Sequence, residues 1–443
     1  MRQRILSRLS ILGALIWLAL SIDIGGQTGQ VQLPDGPGKE LVSATCAQCH
    51  SLNVIPNSWG YTREGWQGLF SSMVAMPDMQ ASVVADYLAT NFPEKAGTPQ
   101  AVVIRGAVEV NIREWLLPTL GQRPHDPLAM RDGSIWWTGQ YANRLGRLDP
   151  TTSAAHEYPL QTLNSEPHGL VEDAGGNIWY TAISINRIGR FDPTTGAITE
   201  YSMPDPRARG PHTPIFDQHG MLFFTLQSGQ VGRLDPATGE VTLGRTPTPG
   251  TYPYGIQVNS KGVPWYVDFN GNRLGSVDPV TMEITEYTLP NQASRPRRLA
   301  LTPDDAVWYT DYTRGYLGRF DPTTGQVREW PSPGGRRSLP YGIAAVGDVL
   351  WYSESGVKPN TLVRFDSRCE TFQTWTIQSG GGIVRNMMAT PDGNLVLANS
   401  GVNRVALVEV RNGGEAPLPC PSLVPSPTLT ARDDAYTMAR GQF

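Results

Sequence analysis

The chain has 443 residues, of which 47 are glycine and 37 are proline, and only 17% are charged, with a formal net charge of −4. The length exceeds one ordinary domain, and the glycine and proline content is typical of turn-rich all-β proteins. The weak negative charge excludes an extended basic surface, so the sequence predicts neither a nucleic-acid partner nor binding to an anionic membrane surface.

The N-terminal segment carries an export pattern. Arg2, Arg4 and Arg8 precede an apolar run over Leu9–Ile22. This predicts a secretory signal over residues 1–28 and a periplasmic or secreted protein. No clean Ala-x-Ala cleavage site follows, so an uncleaved membrane anchor is the alternative, although the run is short for a full span.

The next motif is C-x-x-C-H, formed by Cys46, Cys49 and His50. It is typical of c-type haem, whose vinyl groups form thioethers with the two cysteines while the histidine binds iron. Structural zinc, a redox cysteine pair and coincidence are the alternatives. Zinc needs a second ligand pair, and neither Cys369 nor Cys420 lies in one. The motif therefore predicts covalent haem c and a periplasmic redox partner.

Residues 31–93 resemble a small class I cytochrome c. The C-x-x-C-H motif is followed by a helix containing Trp66, then by Met76-Pro77, and then by a closing helix around Val83–Leu88. The resemblance implies a methionine as the second iron ligand, and Met76 is the expected one because it lies just before the closing helix. Three methionines are candidates: Met73, Met76 and Met79.

Residues 94–100 are predicted to be a linker, and residues 101–412 are filled by a repeat with a period in the low forties. Such a period indicates a β-propeller, and each copy holds four runs suited to strands. A degenerate seventh copy begins near Arg385. The fold class expected is thus an all-β seven-bladed β-propeller with a small all-α cytochrome c-like N-terminal domain. Six copies open with a proline: Pro124, Pro167, Pro211, Pro253, Pro296 and Pro340.

Ring closure and turns are also predicted. The seventh copy supplies only three strands, and the missing outer strand is present before the first copy, at Glu109–Pro118. Pairing the two would leave no open sheet edge. The Asp-Pro-Thr-Thr-Gly phrase at Asp192–Gly196 suits a type I turn and recurs in other copies.

Equivalent positions of the copies converge on the channel, where we expect a small-molecule ligand. Histidines and carboxylates on opposite sides would suit a divalent metal or an acid–base pair, whereas the alternative is that they only line a wet channel. The residues after the opening prolines are His125, His168, His212, Tyr254, Arg297 and Tyr341, with Asn386 roughly equivalent in the seventh copy. The residues closing the second strand are Gly139, Ala182, Leu226, Asp268, Asp311, Glu354 and Asn399.

The repeats resemble the streptogramin lyase family of seven-bladed propellers. The phrases that carry the resemblance are Pro167-His168-Gly169, Asn177–Thr181, Asn186–Arg190 and Ile198–Tyr201. It covers residues 101–412 and implies a carbon–oxygen lyase that opens a cyclic depsipeptide ester by elimination, assisted by Mg²⁺ in the channel.

The resemblance also implies site residues. His125, Glu166 and His168 match two histidines and a glutamate of the family pattern, but in the first two blades rather than the last two. A further glutamate is missing, because Ala182 and Ile183 occupy its place. This implies weak Mg²⁺ binding and an incomplete streptogramin lyase.

Residues 413–443 form a proline-rich tail, in which Cys420 is able to pair with Cys369 or to remain a free thiol. The favoured interpretation is an exported haem c electron-transfer module fused to a small-molecule-binding propeller. One alternative is a streptogramin-type lyase with an accessory cytochrome, and another is a non-enzymatic binding propeller.

Overall fold

The computed structural model describes residues 31–48, 51–411 and Cys420. The predicted signal over 1–28, two of the three residues of the C-x-x-C-H motif (Cys49 and His50), and the tail apart from Cys420 lie outside the described residues. Within the described chain, no helix combines the length and the apolar character that crossing a membrane requires.

The N-terminal module contains the three α-helices of the described residues: α1 (Lys39–Cys46), α2 (Arg63–Ser71) and α3 (Asp78–Asn91). Trp66 of α2 is buried, and its indole Nε1 donates to the Phe92 carbonyl at 3.0 Å. The hydroxyl of Thr62 caps α2 by accepting from the Gly65 amide at 3.1 Å, which satisfies one orphan donor of the first turn. The helix predicted to contain Trp66 and the closing helix predicted around Val83–Leu88 are both confirmed, as α2 and α3.

The described residues from Glu109 to Arg411 form seven four-stranded antiparallel sheets arranged as a propeller, which confirms the predicted propeller architecture. The inner strands are β2 (Pro124–Ala129), β6 (Pro167–Glu172), β10 (Pro211–Phe216), β14 (Pro253–Val258), β18 (Pro296–Leu301), β22 (Pro340–Val346) and β26 (Val384–Ala389). The second strands are β3 (Ile135–Gly139), β7 (Ile178–Ala182), β11 (Leu222–Leu226), β15 (Pro264–Asp268), β19 (Val307–Asp311), β23 (Val349–Glu354) and β27 (Leu395–Asn399).

The outer half of each blade completes the sheet. The third strands are β4 (Arg144–Leu148), β8 (Arg187–Phe191), β12 (Gln230–Leu234), β16 (Arg273–Val277), β20 (Tyr316–Phe320), β24 (Thr361–Asp366) and β28 (Arg404–Arg411). The outer strands are β5 (Ala155–Pro159), β9 (Ile198–Ser202), β13 (Val241–Arg245), β17 (Ile284–Thr288), β21 (Val327–Pro331), β25 (Thr371–Thr376) and, for the last blade, β1 (Glu109–Leu116).

Ring closure follows the prediction. β1 pairs with β28 over its whole length, from Glu109 opposite Arg411 to Leu116 opposite Arg404. The first and last strands of the propeller therefore share one blade. The Asp-Pro-Thr-Thr-Gly turns also form as predicted: the Asp192 carboxylate accepts from the Thr194 amide at 2.8 Å, and Gly196 has a φ of +73°.

Aromatic packing explains the repeated sequence inside each blade. Trp179 of β7 stacks on Tyr201 of β9, with ring centroids 5.4 Å apart, and equivalent pairs recur in other blades. On the other face, Gly189 of β8 lies directly over the Tyr180 ring, so a Cβ at this position would overlap the ring. The repeat thus needs an aromatic residue on the second strand and glycine on the third.

The N-terminal module packs against the propeller through several contacts. The Gly121 amide donates to the Ser72 carbonyl at 3.1 Å, and the ammonium of Lys358 lies 3.4 Å from the centroid of the Tyr61 ring while also donating to the Gly60 carbonyl. Backbone hydrogen bonds hold the predicted linker near both ends. The Lys95 amide donates to the Trp59 carbonyl, and the Ala101 amide donates to the Lys358 carbonyl.

We expect Gly189→Ala to lower the free energy of unfolding by about 1–3 kcal/mol, since the added methyl group overpacks the Tyr180 ring. Denaturant unfolding would measure the loss. The control is Thr199→Ala, which changes an exposed side chain of the same blade. Equal stability of Gly189→Ala and the wild type would contradict this account of the repeat.

Candidate active site in the propeller channel

The residues after the opening prolines form a ring around the upper part of the channel, which we call the funnel ring. A bulge in each inner strand interrupts the ladder at this point, for example between Pro124 and Pro127. In four of the seven blades, a threonine of the second strand replaces lost ladder bonds: Thr138, Thr181, Thr225 and Thr310. Thr138 accepts from the Asp126 amide at 3.1 Å and donates to the His168 carbonyl of the next blade at 2.8 Å. The backbone carbonyls of four ring residues are therefore each held by the preceding blade: those of His168, His212, Tyr254 and Tyr341.

Four aromatic rings lie in contact along one half of the funnel ring, each tilted by 38–46° relative to the next. The centroids of His125 and His168 are 3.5 Å apart, those of His168 and His212 3.9 Å, and those of His212 and Tyr254 3.7 Å. All four side chains are buried. Blades one to four thus present a continuous row of imidazoles and a phenol.

The other half of the funnel ring is cationic. The guanidinium of Arg297 lies 3.7 Å from the centroid of the Tyr341 ring, and the Tyr341 hydroxyl shares a 2.6 Å hydrogen bond with that of Tyr254. In the seventh blade the prediction was wrong by one residue. Val384, not Arg385, pairs as the opening prolines do, so Arg385 takes the ring position that we expected Asn386 to hold.

Below the funnel ring, four polar side chains close the channel, and we call them the inner tier. Arg298 donates to Asp126 at 2.9 Å and to the hydroxyl of Thr213 at 3.1 Å. Asn386 donates to the second oxygen of Asp126 at 2.9 Å. The Asp126 and Arg298 side chains are both buried, so their ion pair is largely shielded from solvent.

The inner tier was missed by sequence reasoning, although Asp126 directly follows His125. Strand periodicity sends successive side chains to opposite faces, which would turn Asp126 away from the channel. The bulge cancels this alternation, so both side chains are directed inward and the Nδ1 atom of His125 lies 2.8 Å from the Asp126 carboxylate. The sequence signal that could have indicated the bulge is the proline that begins six of the seven inner strands.

A cavity of about 440 Å³ lies above the inner tier, and we call it the funnel cavity. Its lining among the described residues includes all three histidines of the funnel ring, Arg123, Arg297 and Arg385, together with Tyr252, Tyr254, Phe269 and Ile183. His125 and His168, predicted from the sequence, are thus brought together. Glu166, the third, is half-buried and is not among the lining residues.

The carboxylates that close the second strands do not face the histidines across the cavity. Asp268 accepts from the Tyr252 amide at 2.8 Å, and Glu354 accepts from the Gly334 amide at 2.6 Å, so both tie down loops. Ala182, where the family pattern suggested a glutamate, is fully buried in the apolar core between blades. Its neighbour Ile183 lines the cavity instead.

Burial keeps the three imidazoles neutral. It lowers the pKa of His125, His168 and His212 well below the ordinary value, and the charges of Arg385 and Arg298 lower the pKa of His125 further. For Tyr341, burial would raise the pKa, but Arg297, Arg385 and Arg298 outweigh it and lower the pKa below its ordinary value. Burial raises the pKa of Tyr254, which stays protonated.

The residues expected around haem lie in the N-terminal module. Cys46 ends α1, Met76 packs against the module core between α2 and α3, and Met79 is 84% exposed. A second cavity, of about 820 Å³, lies between this module and the propeller, and we call it the interface cavity. Trp59 and Leu69 line one side of it, and Lys358, Ile383 and Arg404 line the other.

Comparison with known proteins decides the family. The sequence model of the virginiamycin B lyase family matches residues 176–440. The chain belongs to the virginiamycin B lyase family. No curated protein matches this virginiamycin B lyase family member.

Solved structures share the fold. The virginiamycin B lyase of Staphylococcus aureus is 24% identical, with a TM-score of 0.62, and the match covers 68% of this chain and 99% of that one. A catalytically inactive variant of the S. aureus lyase, solved with quinupristin, matches at 24% identity and a TM-score of 0.61, over 68% and 99%. Hydrazine synthase of Kuenenia stuttgartiensis is 14% identical, with a TM-score of 0.55, over 65% and 95%.

The channel of this virginiamycin B lyase family member is a poor Mg²⁺ site. Ligand atoms of His125, Asp126 and His168 lie within 4.8 Å of one another, which is close enough for a metal. However, both carboxylate oxygens of Asp126 already accept hydrogen bonds, including one from the Arg298 guanidinium. Mg²⁺ prefers oxygen ligands and free carboxylates. The donor set and the adjacent positive charge do not fit this ion.

We expect the free energy of unfolding to fall as the pH drops below about 6.5, the ordinary pKa of an unfolded histidine. The folded state holds His125, His168 and His212 neutral, so the unfolded chain takes up more protons in this range. His212→Gln should reduce the slope by up to about 1.4 kcal/mol per pH unit. Denaturant unfolding from pH 7 to pH 5 would measure it.

The matched control is His219→Gln, which alters an exposed histidine of the same blade. A slope unchanged by His212→Gln would show that the buried imidazole is not the group that titrates on unfolding.

Proposed function

We propose that the funnel cavity is the active site of a carbon–oxygen lyase that works by general base catalysis without Mg²⁺. The observation that carries this proposal is the pair of His125 and Asp126. The Nδ1 atom of the His125 imidazole is hydrogen-bonded to the Asp126 carboxylate. Because His125 also lines the cavity, its Nε2 atom is available to contact the substrate. Membership of the virginiamycin B lyase family supports the same reaction class.

The first step is proton removal. Nε2 of His125 takes the proton from the carbon next to the substrate carbonyl, and Asp126 stabilises the imidazolium that forms and holds its tautomer. Arg298 and Asn386 fix that carboxylate in turn. A positioned general base of this kind contributes roughly 10²–10⁴-fold to the rate.

The second step is loss of the leaving oxygen. The electron pair of the broken C–H bond forms the new C=C bond and the C–O bond breaks. The acyloxy group leaves as a carboxylate, to which the Tyr254 hydroxyl donates a hydrogen bond, and His125 releases its proton to solvent. The guanidinium of Arg297, which reaches that hydroxyl at 3.4 Å, stabilises the negative charge that develops on the substrate carbonyl. In this mechanism a protein cation, rather than a metal ion, polarises the substrate carbonyl.

The test uses β-acyloxy carboxylic acids and quinupristin in D₂O containing EDTA, with NMR following α-proton exchange and product formation. We expect turnover of β-acyloxy acids that His125→Gln reduces about 10²–10⁴-fold, and Asp126→Asn by a smaller factor. Quinupristin should be a poor substrate, because Ile183 and the buried Ala182 leave no added carboxylate at the cavity wall.

His156→Gln, at an exposed position of the first blade, is the control and should retain full activity. Activity that EDTA abolishes, or that survives His125→Gln, would refute the metal-free mechanism based on this pair.

A second function is favoured by the C-x-x-C-H motif of the N-terminal module: exported one-electron transfer by covalent haem c. Haem supplies reversible one-electron chemistry when bound. Cys46 and Met76 both pack against the core of the N-terminal module, which supports their assignment to one haem site. Neither is among the described residues that line the interface cavity. Met76, packed in the module, is the proposed methionine ligand, and Cys46, Cys49 and His50 are the attachment residues.

Export to the periplasm or beyond is part of this second proposal. The disulfide between Cys369 and Cys420 supports it, since such bonds persist in oxidising compartments. A periplasmic redox partner would exchange electrons with the module.

Protein purified from an export-competent host with haem maturation should stain for covalent haem on a denaturing gel. Cys46→Ser with Cys49→Ser should lose the stain, because the thioethers need both thiols. Cys369→Ser is the control: it removes a cysteine that takes no part in attachment and should keep the stain. An unstained wild type would remove the electron-transfer proposal.

A further inference from the structure

The charge of the funnel cavity is one-sided. Its lining among the described residues includes the guanidiniums of Arg123, Arg297 and Arg385 but no aspartate or glutamate. The carboxylate of Asp126, below the cavity, is already paired with Arg298 and His125 in the inner tier. The cavity therefore has a surplus of positive charge that the described protein does not neutralise.

The three guanidiniums also lack carboxylate partners elsewhere. Within the part of the chain that the structure describes, none of them forms an ion pair, and the Nε atoms of Arg297 and Arg385 are buried without a hydrogen-bond partner. Burial and the charge of Arg385 lower the pKa of Arg123. Arg123 and Arg297 also donate to the hydroxyls of Tyr141 and Tyr254, but these acceptors are neutral. The buried Nε donors of Arg297 and Arg385 have no acceptor, which is costly, so an anion that accepts their bonds would be bound strongly.

The remaining wall is apolar and aromatic. Tyr252, Tyr254, Phe269 and Ile183 line it, and the Arg297 guanidinium lies 4.5 Å from the centroid of the Phe269 ring. A cavity of about 440 Å³ is within the size range of small-molecule pockets. Flat apolar groups pack well against such rings.

We propose that the ligand of the funnel cavity is a small carboxylic acid with a flat, apolar body. Its carboxylate binds Arg385 and Arg123 at the rim, and its body packs against Tyr252 and Phe269. That this acid is also the substrate rests on the proposed lyase function, in which the carbon beside the carboxylate faces His125. The guanidinium forks match the two oxygens of a carboxylate.

The test is isothermal titration of the purified full chain with 3-phenylpropionate, its neutral amide 3-phenylpropionamide, and phenyl phosphate. The acid should bind at least about tenfold more tightly than the amide, because charge-assisted hydrogen bonds are stronger than neutral ones. Its affinity should fall as salt rises. Arg385→Gln and Arg123→Gln should each weaken acid binding about tenfold or more while leaving amide binding unchanged.

Two variants serve as controls. Arg207→Gln changes an arginine whose side chain is 75% exposed and should bind like the wild type. His125→Gln should also bind the acid normally, so that loss of turnover with intact binding separates the proposed reaction from the proposed ligand class. Equal binding of acid and amide, tighter binding of phenyl phosphate than of the carboxylate, or acid binding unaffected by both rim variants would overturn the proposal.

Discussion

The threonine hydroxyl that joins blades one, two, three and five to the blade that follows each of them is the interaction on which this part of the channel depends. Thr181 accepts from the Gly169 amide at 2.9 Å and donates to the His212 carbonyl at 2.8 Å, and Thr225 and Thr310 repeat the pattern toward Tyr254 and Tyr341. One hydroxyl thus satisfies a donor that the bulge leaves without a ladder bond and anchors the neighbouring inner strand. The positions of these functional side chains around the channel are therefore fixed by the backbone. The distance from one to the next follows from the spacing of neighbouring blades.

The architecture followed from the sequence because its signals are local and repeated. The proline at each strand start, the Asp-Pro turns and the second-strand aromatics recur in nearly every copy, and each has one structural meaning. Closure by residues 109–118 followed from counting strands. The channel was harder, because its chemistry depends on consecutive side chains such as His125 and Asp126 pointing the same way. A pattern of period two does not contain that information, and the bulge supplies it only in the folded structure.

The same reasoning explains the misplaced residue of the seventh blade. Its inner strand opens with Val384 instead of proline, so the sequence offered no marker, and the ring position went to Asn386 instead of Arg385. The consequence is large. Arg385 adds a cation to the cavity and Asn386 binds Asp126 below it, so the two neighbours serve different layers of one site. We expected the carboxylates of Asp268 and Glu354 to face the histidines. They instead accept hydrogen bonds from backbone amides, because an unpaired buried donor costs free energy.

The two ends of the propeller meet in the last blade, and this pairing also constrains when that blade can be completed during synthesis. Asn111 donates to Glu409, 298 residues further along the chain, at 2.7 Å. During synthesis from the N-terminus, β1 emerges long before its partner β28 exists and must wait as an unpaired strand. Its charged residues Glu109, Arg113 and Glu114 discourage association with other chains during that interval. The blade that completes the ring can therefore be completed only after β28 has been synthesised, and until then the charged side chains of β1 disfavour its pairing with other strands.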